Sequence, residues 1–238
     1  MNPWLQILAL TLLAGMTMPL GALLACRERL RPRWLETELR HSILAFGAGA
    51  LLAAVALVLV PEGMRGLSAG LTAACFASGG VAFMLVDRFL AAHRTAASQM
   101  IDMLLDFIPE AIALGAAMAF GNPSALLLAL LMALQNLPEG FNAYRELRRA
   151  SRLSNRRILV LFSLIALLGP LAGFSGYLWL APHPEVVGAI MLFASGGILY
   201  SVFQDIAPQV RLERHWSPPL GAVAGFLTGM LGQNLLQH

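Results

Sequence analysis

The sequence predicts an all-α membrane protein whose residues 1–238 form a single transmembrane domain of eight helices. Three observations carry this prediction. The chain has 238 residues, of which 58% are hydrophobic and only 12% are charged, a composition typical of proteins that cross a membrane several times. Its apolar residues fall in windows of about 20 residues, the length that spans a bilayer. Its basic residues lie almost entirely in alternate loops between those windows, which would place them on one side of a membrane.

Each of the apolar windows predicts one membrane-spanning helix. They lie near residues 4–25, 42–61, 68–90, 100–120, 124–144, 158–180, 186–206 and 218–236. Turn-forming residues separate several of them, for example Gly121-Asn122-Pro123-Ser124 between the fourth and fifth windows. Only a tight turn separates the second window from the third, so we expect these two helices to form a hairpin.

Arginine predicts the orientation of the helices. All 16 basic residues are Arg, and the loops after spans one, three, five and seven hold 15 of them, whereas the opposite side holds only Arg65. Positively charged loops stay in the cytoplasm. We therefore expect a multi-pass protein of the cell (inner) membrane with both termini outside. The Arg residues act as topology signals in contact with the lipid bilayer, and we expect no nucleic-acid partner.

An internal similarity suggests how the helices are arranged. The segment 46–61 in span two aligns without gaps to 193–208 in span seven, with five of 16 positions identical. Because span two runs outward and span seven inward, the pair predicts an inverted repeat of the kind found in transporters. The expected arrangement is three plus two plus three helices, with spans four and five as the central pair.

Acidic side chains lie in the middle of that central pair. Asp102, Asp106 and Glu110 are spaced by four residues and share one face of span four, and Gln135 and Glu139 repeat the spacing on span five. Counting depth from the short outer turn places Glu110 beside Gln135 and Asp106 beside Glu139. A carboxylate at bilayer depth costs roughly 2.5–3.5 kcal/mol. This cost favours a positive partner, and a divalent cation is the simplest one.

Two prolines lie next to these acids. We expect Pro109 and Pro138 to interrupt their helices and free the carbonyls of Leu105 and Leu134, because proline has no N–H to donate. No His lies in any span. Side-chain oxygens together with freed carbonyls predict an oxygen-rich site open to divalent metals.

The segments Asp106–Glu110 and Gln135–Gly140 resemble the central helices of the ZIP (zinc/iron permease) family. Members have eight spans with outward-facing termini; span four carries His-Asn-x-x-Glu or Asp, and span five carries His or Gln, then Asn or Asp, then x-Pro-Glu-Gly. The resemblance implies a divergent, prokaryotic-type divalent metal transporter. Its substrate would be Zn²⁺, with Fe²⁺, Mn²⁺, Co²⁺ and Cd²⁺ as alternatives, carried toward the cytoplasm. The implied ligands are Asp106, Glu110, Gln135 and Glu139.

The chain also departs from the family pattern. Asp106 replaces the usual His, which favours a harder, oxygen-dominated site. The family's second metal site would use Phe107, Asn136 and Gly169, and the first and last of these carry no ligand atom. We expect that second site to be largely lost, although Asn136 stays a candidate ligand. Asp205 stands where the family has an acidic residue near the inner side, so Asp205 and Asp102 are candidate ligands on the path to the cytoplasm.

Other kinds of function stay open. A network of protonated carboxyls and amides that fixes helix packing is the structural alternative, and a metal-sensing or scaffold protein without transport is the functional one. A carrier of protons or organic substrates is a third. The stripe of Gly221, Gly225 and Gly229 in span eight predicts either helix packing within the chain or a homodimer contact.

An enzyme is not expected. The sequence Phe-Ala-Ser-Gly-Gly occurs twice, at Phe76–Gly80 and Phe193–Gly197, and superficially suggests a membrane serine hydrolase. A serine nucleophile needs a nearby base, and no His or Lys lies within a span. An aspartyl dyad is disfavoured because Asp102 and Asp106 lie on the same helix.

Overall fold

A computed structural model describes residues 2–27, 38–93, 98–210 and 216–237, and these residues form helices and turns with no strand. The all-α prediction is confirmed for this part of the chain. Its long helices follow the predicted windows with ends shifted by a few residues. They are α1 (Pro3–Arg27), α2 (Arg40–Gly63), α3 (Ala69–Ala92), α4 (Ser98–Ala119), α5 (Ser124–Ala150), α6 (Asn155–Leu180), α7 (Pro184–Val210) and α8 (Ser217–Gln237).

Six of these helices are long and apolar enough to cross a membrane, namely α1, α2, α3, α5, α6 and α7. Helix α4 carries the carboxylates Asp102, Asp106 and Glu110, and α8 is less apolar because it contains several Gly, Gln and Asn residues. Six such helices are compatible with a multi-pass membrane protein, as predicted.

The outer surface of the bundle is apolar. Helix α3 buries only Gly79, Phe83 and Leu90, and leucines elsewhere are widely open, with Leu171 67% and Leu235 78% exposed. Monomeric soluble proteins rarely expose so much contiguous apolar surface. This surface is suited to contact with lipid.

The core lies around α4 and α5. Its largest fully buried side chains include Phe107 and Leu114 of α4 and Leu128, Leu131 and Met132 of α5. The helices around this core pack in two groups: α1, α4, α5 and α6 contact mainly one another, whereas α2 packs on α8 and α3 packs on α7. Contacts of α2 with α5 and of α7 with α4 join the two groups.

Helices α3 and α7 approach each other through the two Phe-Ala-Ser-Gly-Gly segments. A Cβ atom on Gly79 would overlap the carbonyl oxygen of Phe193, and a Cβ atom on Gly196 would overlap that of Phe76. Small residues permit such close approach of helix backbones. The duplicated segment therefore forms a reciprocal packing contact.

The glycine stripe of α8 packs within the chain. Cβ atoms on Gly221 and Gly225 would overlap the carbonyl oxygens of Ser42 and Phe46 in α2, and one on Gly229 would lie 2.5 Å from the Ala53 side chain. Of the two predicted roles of this stripe, the helix-packing role is confirmed.

Helices α2 and α7 each contain a π-helical segment, Val55–Leu59 and Val202–Ile206. These segments occupy the same positions in the aligned segments 46–61 and 193–208. Each ends two residues before a proline, Pro61 or Pro208, which has no backbone N–H to continue the regular hydrogen bonding.

The prediction that Pro109 and Pro138 interrupt their helices is wrong. Helix α4 continues through Pro109, and α5 continues through Pro138. Each proline removes one backbone donor, and packing against neighbouring helices holds the turns around it in helical form. Helix α6 differs, because a turn at Leu167 interrupts it three residues before Pro170.

Candidate functional site

Polar side chains of α4 and α5 meet where these two central helices touch. On α4, Asp106 is 4% exposed and Glu110 is fully buried; on α5, Gln135 is fully buried as well. Asp102 on α4 and Glu139 on α5 continue a spacing of four residues along each helix, so each helix presents one polar face to the other.

Glu110 and Gln135 are bound directly to each other. The Nε2 atom of Gln135 donates to both carboxylate oxygens of Glu110, at 2.9 Å to Oε1 and 2.7 Å to Oε2. The predicted neighbourhood of these two residues is confirmed. The Oε1 atom of Gln135 is buried and has no hydrogen-bond partner, so this amide leaves an acceptor oxygen unused inside the bundle.

A small cavity lies beside that pair, on the side away from the turn between α4 and α5. It has a volume of about 50 Å³, and its lining includes Asp102, Asp106, Glu139, Asn142 and Asp205. Asp106 Oδ1, both carboxylate oxygens of Glu139 and Asn142 Oδ1 are buried without a hydrogen-bond partner. A buried acceptor without a donor costs about 1–3 kcal/mol, and a charged one costs more.

The carboxylates do not form a closed metal cluster. Among residues 2–27, 38–93, 98–210 and 216–237, no group of three or more His, Cys, Asp or Glu side chains is arranged to hold a metal ion. Glu110 is tied to Gln135, whereas Asp106 and Glu139 line the cavity. The arrangement therefore offers several unpartnered oxygens, of which three come from carboxylates and two from amides.

The remaining predicted ligands lie in two places. Asp102 and Asp205 are half-buried and line the cavity from α4 and from the π-helical segment of α7. Asn136 is buried on the side of α5 that faces α1, and its Nδ2 atom donates to the backbone carbonyl of Ala14 at 3.0 Å. The structure thus brings Asp102 and Asp205 to the acidic cavity and uses the amide of Asn136 in a contact between helices.

The Phe107 ring lies against Gly169 of α6 and Gly15 of α1. Phe107 is fully buried. A Cβ atom on Gly169 of α6 would lie 2.7 Å from the Phe107 Cζ atom, and one on Gly15 of α1 would lie 3.1 Å from the same atom. The ring occupies the space between α1 and α6, which leaves no room for a larger side chain at position 169.

Polar contacts link helices at the opposite end of the bundle, near the turn between α4 and α5. Arg65 Nη1 lies 2.8 Å from Glu62 Oε2, and Asn122 Nδ2 donates to Glu62 Oε1 at 3.1 Å. The second bond links α2 to the turn between α4 and α5. These three residues line a cavity of about 200 Å³. A wider cavity of about 350 Å³ lies at the other end, and Arg40, Arg145, Glu146 and Arg149 are among the residues that line it.

The hydroxyls of the two serines in the duplicated segment donate hydrogen bonds to carbonyls of their own helices. The hydroxyl of Ser195 is fully buried and donates to the Met191 carbonyl at 2.7 Å. The hydroxyl of Ser78 donates to the Cys75 carbonyl at 2.8 Å. Both bonds stay within one helix.

Sequence reasoning missed Asn142. It is buried, 6% exposed, and lies three residues after Glu139 on the same face of α5. The signal was present in the sequence, since 135, 139 and 142 follow the spacing of one helix face. The residue lies outside the Gln135–Gly140 segment, and its side chain carries no charge.

No protein-family model matches this chain, and no curated protein matches it. The described residues thus form an all-helical structure with six helices long and apolar enough to cross a membrane. Side chains of α2, α4, α5 and α7 line its acidic cavity.

Proposed function

We propose that this protein transports a divalent metal cation, zinc or a related first-row ion, across the membrane toward the cytoplasm, as a divergent member of the ZIP family. One observation carries the proposal. Five side-chain oxygens on the contacting faces of α4 and α5 are buried without a donor: Asp106 Oδ1, Gln135 Oε1, Glu139 Oε1, Glu139 Oε2 and Asn142 Oδ1. A cation in the acidic cavity would provide a positive partner for the oxygens of Asp106, Glu139 and Asn142, which line it.

Physical chemistry favours a cation over an empty polar network. Acidic residues inside a membrane bundle are expensive and mark ion or proton pathways. Carboxylate and amide oxygens suit hard divalent ions, and the absence of His and Cys ligands among the proposed residues lowers the preference for softer ones. The resemblance to the ZIP family makes Zn²⁺ the expected substrate, with Mn²⁺, Fe²⁺, Co²⁺ and Cd²⁺ as alternatives.

The proposal includes eight membrane spans, with α4 and α8 added to the six apolar helices. Helix α4 tolerates three acids because they face the bundle interior rather than lipid. The side that holds 15 of 16 Arg residues would be cytoplasmic. Support for a three-plus-two-plus-three arrangement with an inverted repeat comes from matched contacts. Gly49 packs on the Ala222 carbonyl as Gly196 packs on that of Phe76, and Gly49 and Gly196 are aligned positions.

Transport requires that the site open to each side in turn. In this structure the acidic cavity adjoins the Arg-lined cavity, because both include Asn142 in their lining. The outer end is held by the bond between Glu62 and Asn122, which joins the two helix groups. Movement of α1, α4, α5 and α6 against the other group would break this bond and open the outer side.

Uptake by the purified protein tests the proposal. Proteoliposomes that contain the full chain are expected to accumulate labelled Zn²⁺ faster than protein-free liposomes, because the protein offers oxygen ligands at mid-membrane depth. The measurement is the initial rate of uptake against external zinc concentration.

A metal sensor or scaffold is the second candidate. The bond between Gln135 and Glu110 favours it, since it lets the two side chains satisfy each other without a metal. Saturable Zn²⁺ binding without uptake would support this candidate and contradict transport. If the protein shows no Zn²⁺ binding and no Zn²⁺ uptake, both candidate functions are contradicted.

Metal selectivity gives a further prediction. Replacing Asp106 by His should raise the ratio of Zn²⁺ to Mn²⁺ uptake by about tenfold, because imidazole suits zinc better than a carboxylate does. The ratio is measured in a competition assay, with Glu185→His as the control, since Glu185 is exposed in the first turn of α7. An unchanged ratio would count against Asp106 as a ligand.

A further inference from the structure

Asn142 is the one residue in the acidic cavity that combines deep burial, no charge and an unpartnered oxygen. Its side chain is 6% exposed, and its Oδ1 atom has no hydrogen-bond partner. A buried amide oxygen without a hydrogen-bond donor destabilises the folded protein unless another positive partner, such as a cation, binds it. We propose that Asn142 is a metal ligand: its Oδ1 binds the divalent cation as the cation passes from Glu139 toward the cytoplasm. This proposal rests on the transport function proposed above.

The position of Asn142 fits this role. It lies one turn after Glu139 on α5, in the direction of the Arg-rich end. It lines both the acidic cavity and the wider cavity that contains Arg40, Arg145 and Arg149. Gln99 and Gln209 line both cavities too, but Gln209 is exposed and Gln99 is only half-buried. Of these three residues that line both cavities, Asn142 is the buried one.

An amide is chemically suited to the boundary between these two cavities. A carboxylate there would also bind the cation, but the guanidinium groups that line the wider cavity would compete with the cation for it. A neutral carbonyl oxygen binds a cation more weakly, and a conducting pathway needs sites that an ion can leave. The pathway would thus pass from the charged Asp106 and Glu139 to a neutral ligand before the cation reaches water.

Asn136 provides a matched comparison on the same helix. It is buried to a similar degree, 1% exposed, but its Nδ2 atom donates to the Ala14 carbonyl. A leucine at position 136 would leave that carbonyl without its donor, and stability should fall. A leucine at position 142 would remove an unpartnered oxygen, and stability should stay the same or rise. The two substitutions therefore separate a packing role from a ligand role.

The experiment uses the full-length protein in proteoliposomes, with Zn²⁺ as the probe, and compares wild type with Asn142→Leu, Asn142→Asp and Asn136→Leu. For Asn142→Leu we expect the maximal uptake rate to fall about tenfold, with Tm in detergent unchanged or raised. Asn142→Asp keeps an oxygen at this position, so its maximal rate should stay within about threefold of wild type. Asn136→Leu should lower Tm.

Several results would overturn the proposal. Wild-type uptake by Asn142→Leu would show that its oxygen is not used. A lower Tm in Asn142→Leu would show a packing role, as would an equal loss of rate in Asn142→Asp and Asn142→Leu. If wild type itself neither binds nor transports Zn²⁺, the proposed function fails as well, which is distinct from failure of Asn142 alone.

Discussion

Replacing Glu139 by Ala is expected to reduce Zn²⁺ uptake into proteoliposomes by about 100-fold or more. Both carboxylate oxygens of Glu139 are buried without a hydrogen-bond partner, so a cation would be their principal partner. Changes in residues that merely support metal ligands already cost 10- to 100-fold in affinity or activity, and loss of a direct ligand should reach at least the upper end of that range. The measurement is the initial uptake rate at several zinc concentrations.

Glu110→Ala should reduce uptake too, but it has a second effect. Gln135 Nε2 donates to both oxygens of Glu110, and this substitution leaves that amide without its acceptor. We therefore expect Glu110→Ala to lower Tm, whereas Glu139→Ala removes only unpartnered oxygens and should leave Tm unchanged.

Glu185→Ala is the matched control for both variants. Glu185 is exposed in the first turn of α7, outside the acidic cavity, and its removal should leave uptake and Tm at wild-type values. Wild-type uptake by Glu139→Ala, with Zn²⁺ binding intact, would show that this carboxylate does not take part in transport.

Local properties of the chain explain which features could be predicted. Helix positions follow from the length of apolar windows, which needs no knowledge of neighbours. The pairing of Glu110 with Gln135 could be predicted because α4 and α5 are joined by a short turn, so that counting residues from Gly121 gives their depths. The acidic face of α4 follows from helix periodicity alone.

Features that depend on contacts between distant helices could not be predicted in this way. The sequence shows Phe107 and Gly169 as departures from a family pattern. The sequence does not show that the Phe107 ring fills the space beside Gly169, because this contact depends on how α1, α4 and α6 pack. Likewise, the unpartnered oxygen of Asn142 depends on which side chains line the cavity around it. Continuation of α4 through Pro109 depends on packing that overrides a local preference.

The duplicated Phe-Ala-Ser-Gly-Gly segment packs α3 closely against α7. Gly79→Ala should lower the free energy of unfolding by about 1–3 kcal/mol, because its Cβ would overlap the Phe193 carbonyl oxygen and force α3 away from α7. For a chain of this size each kcal/mol corresponds to a fall in Tm of about 2–4 °C. The measurement is thermal unfolding of the purified protein in detergent.

Gly70→Ala on the same helix is the control. Apart from its chain neighbours and the backbone of its own helix, no atom of the described residues lies within 4 Å of the position its Cβ would occupy. Alanine also forms helix more readily than glycine, so Tm should stay the same or rise. Equal Tm values for the two variants would contradict close packing of α3 on α7. A fall confined to Gly79→Ala would instead explain why this segment occurs twice: each copy supplies a glycine that lies against the backbone of the other.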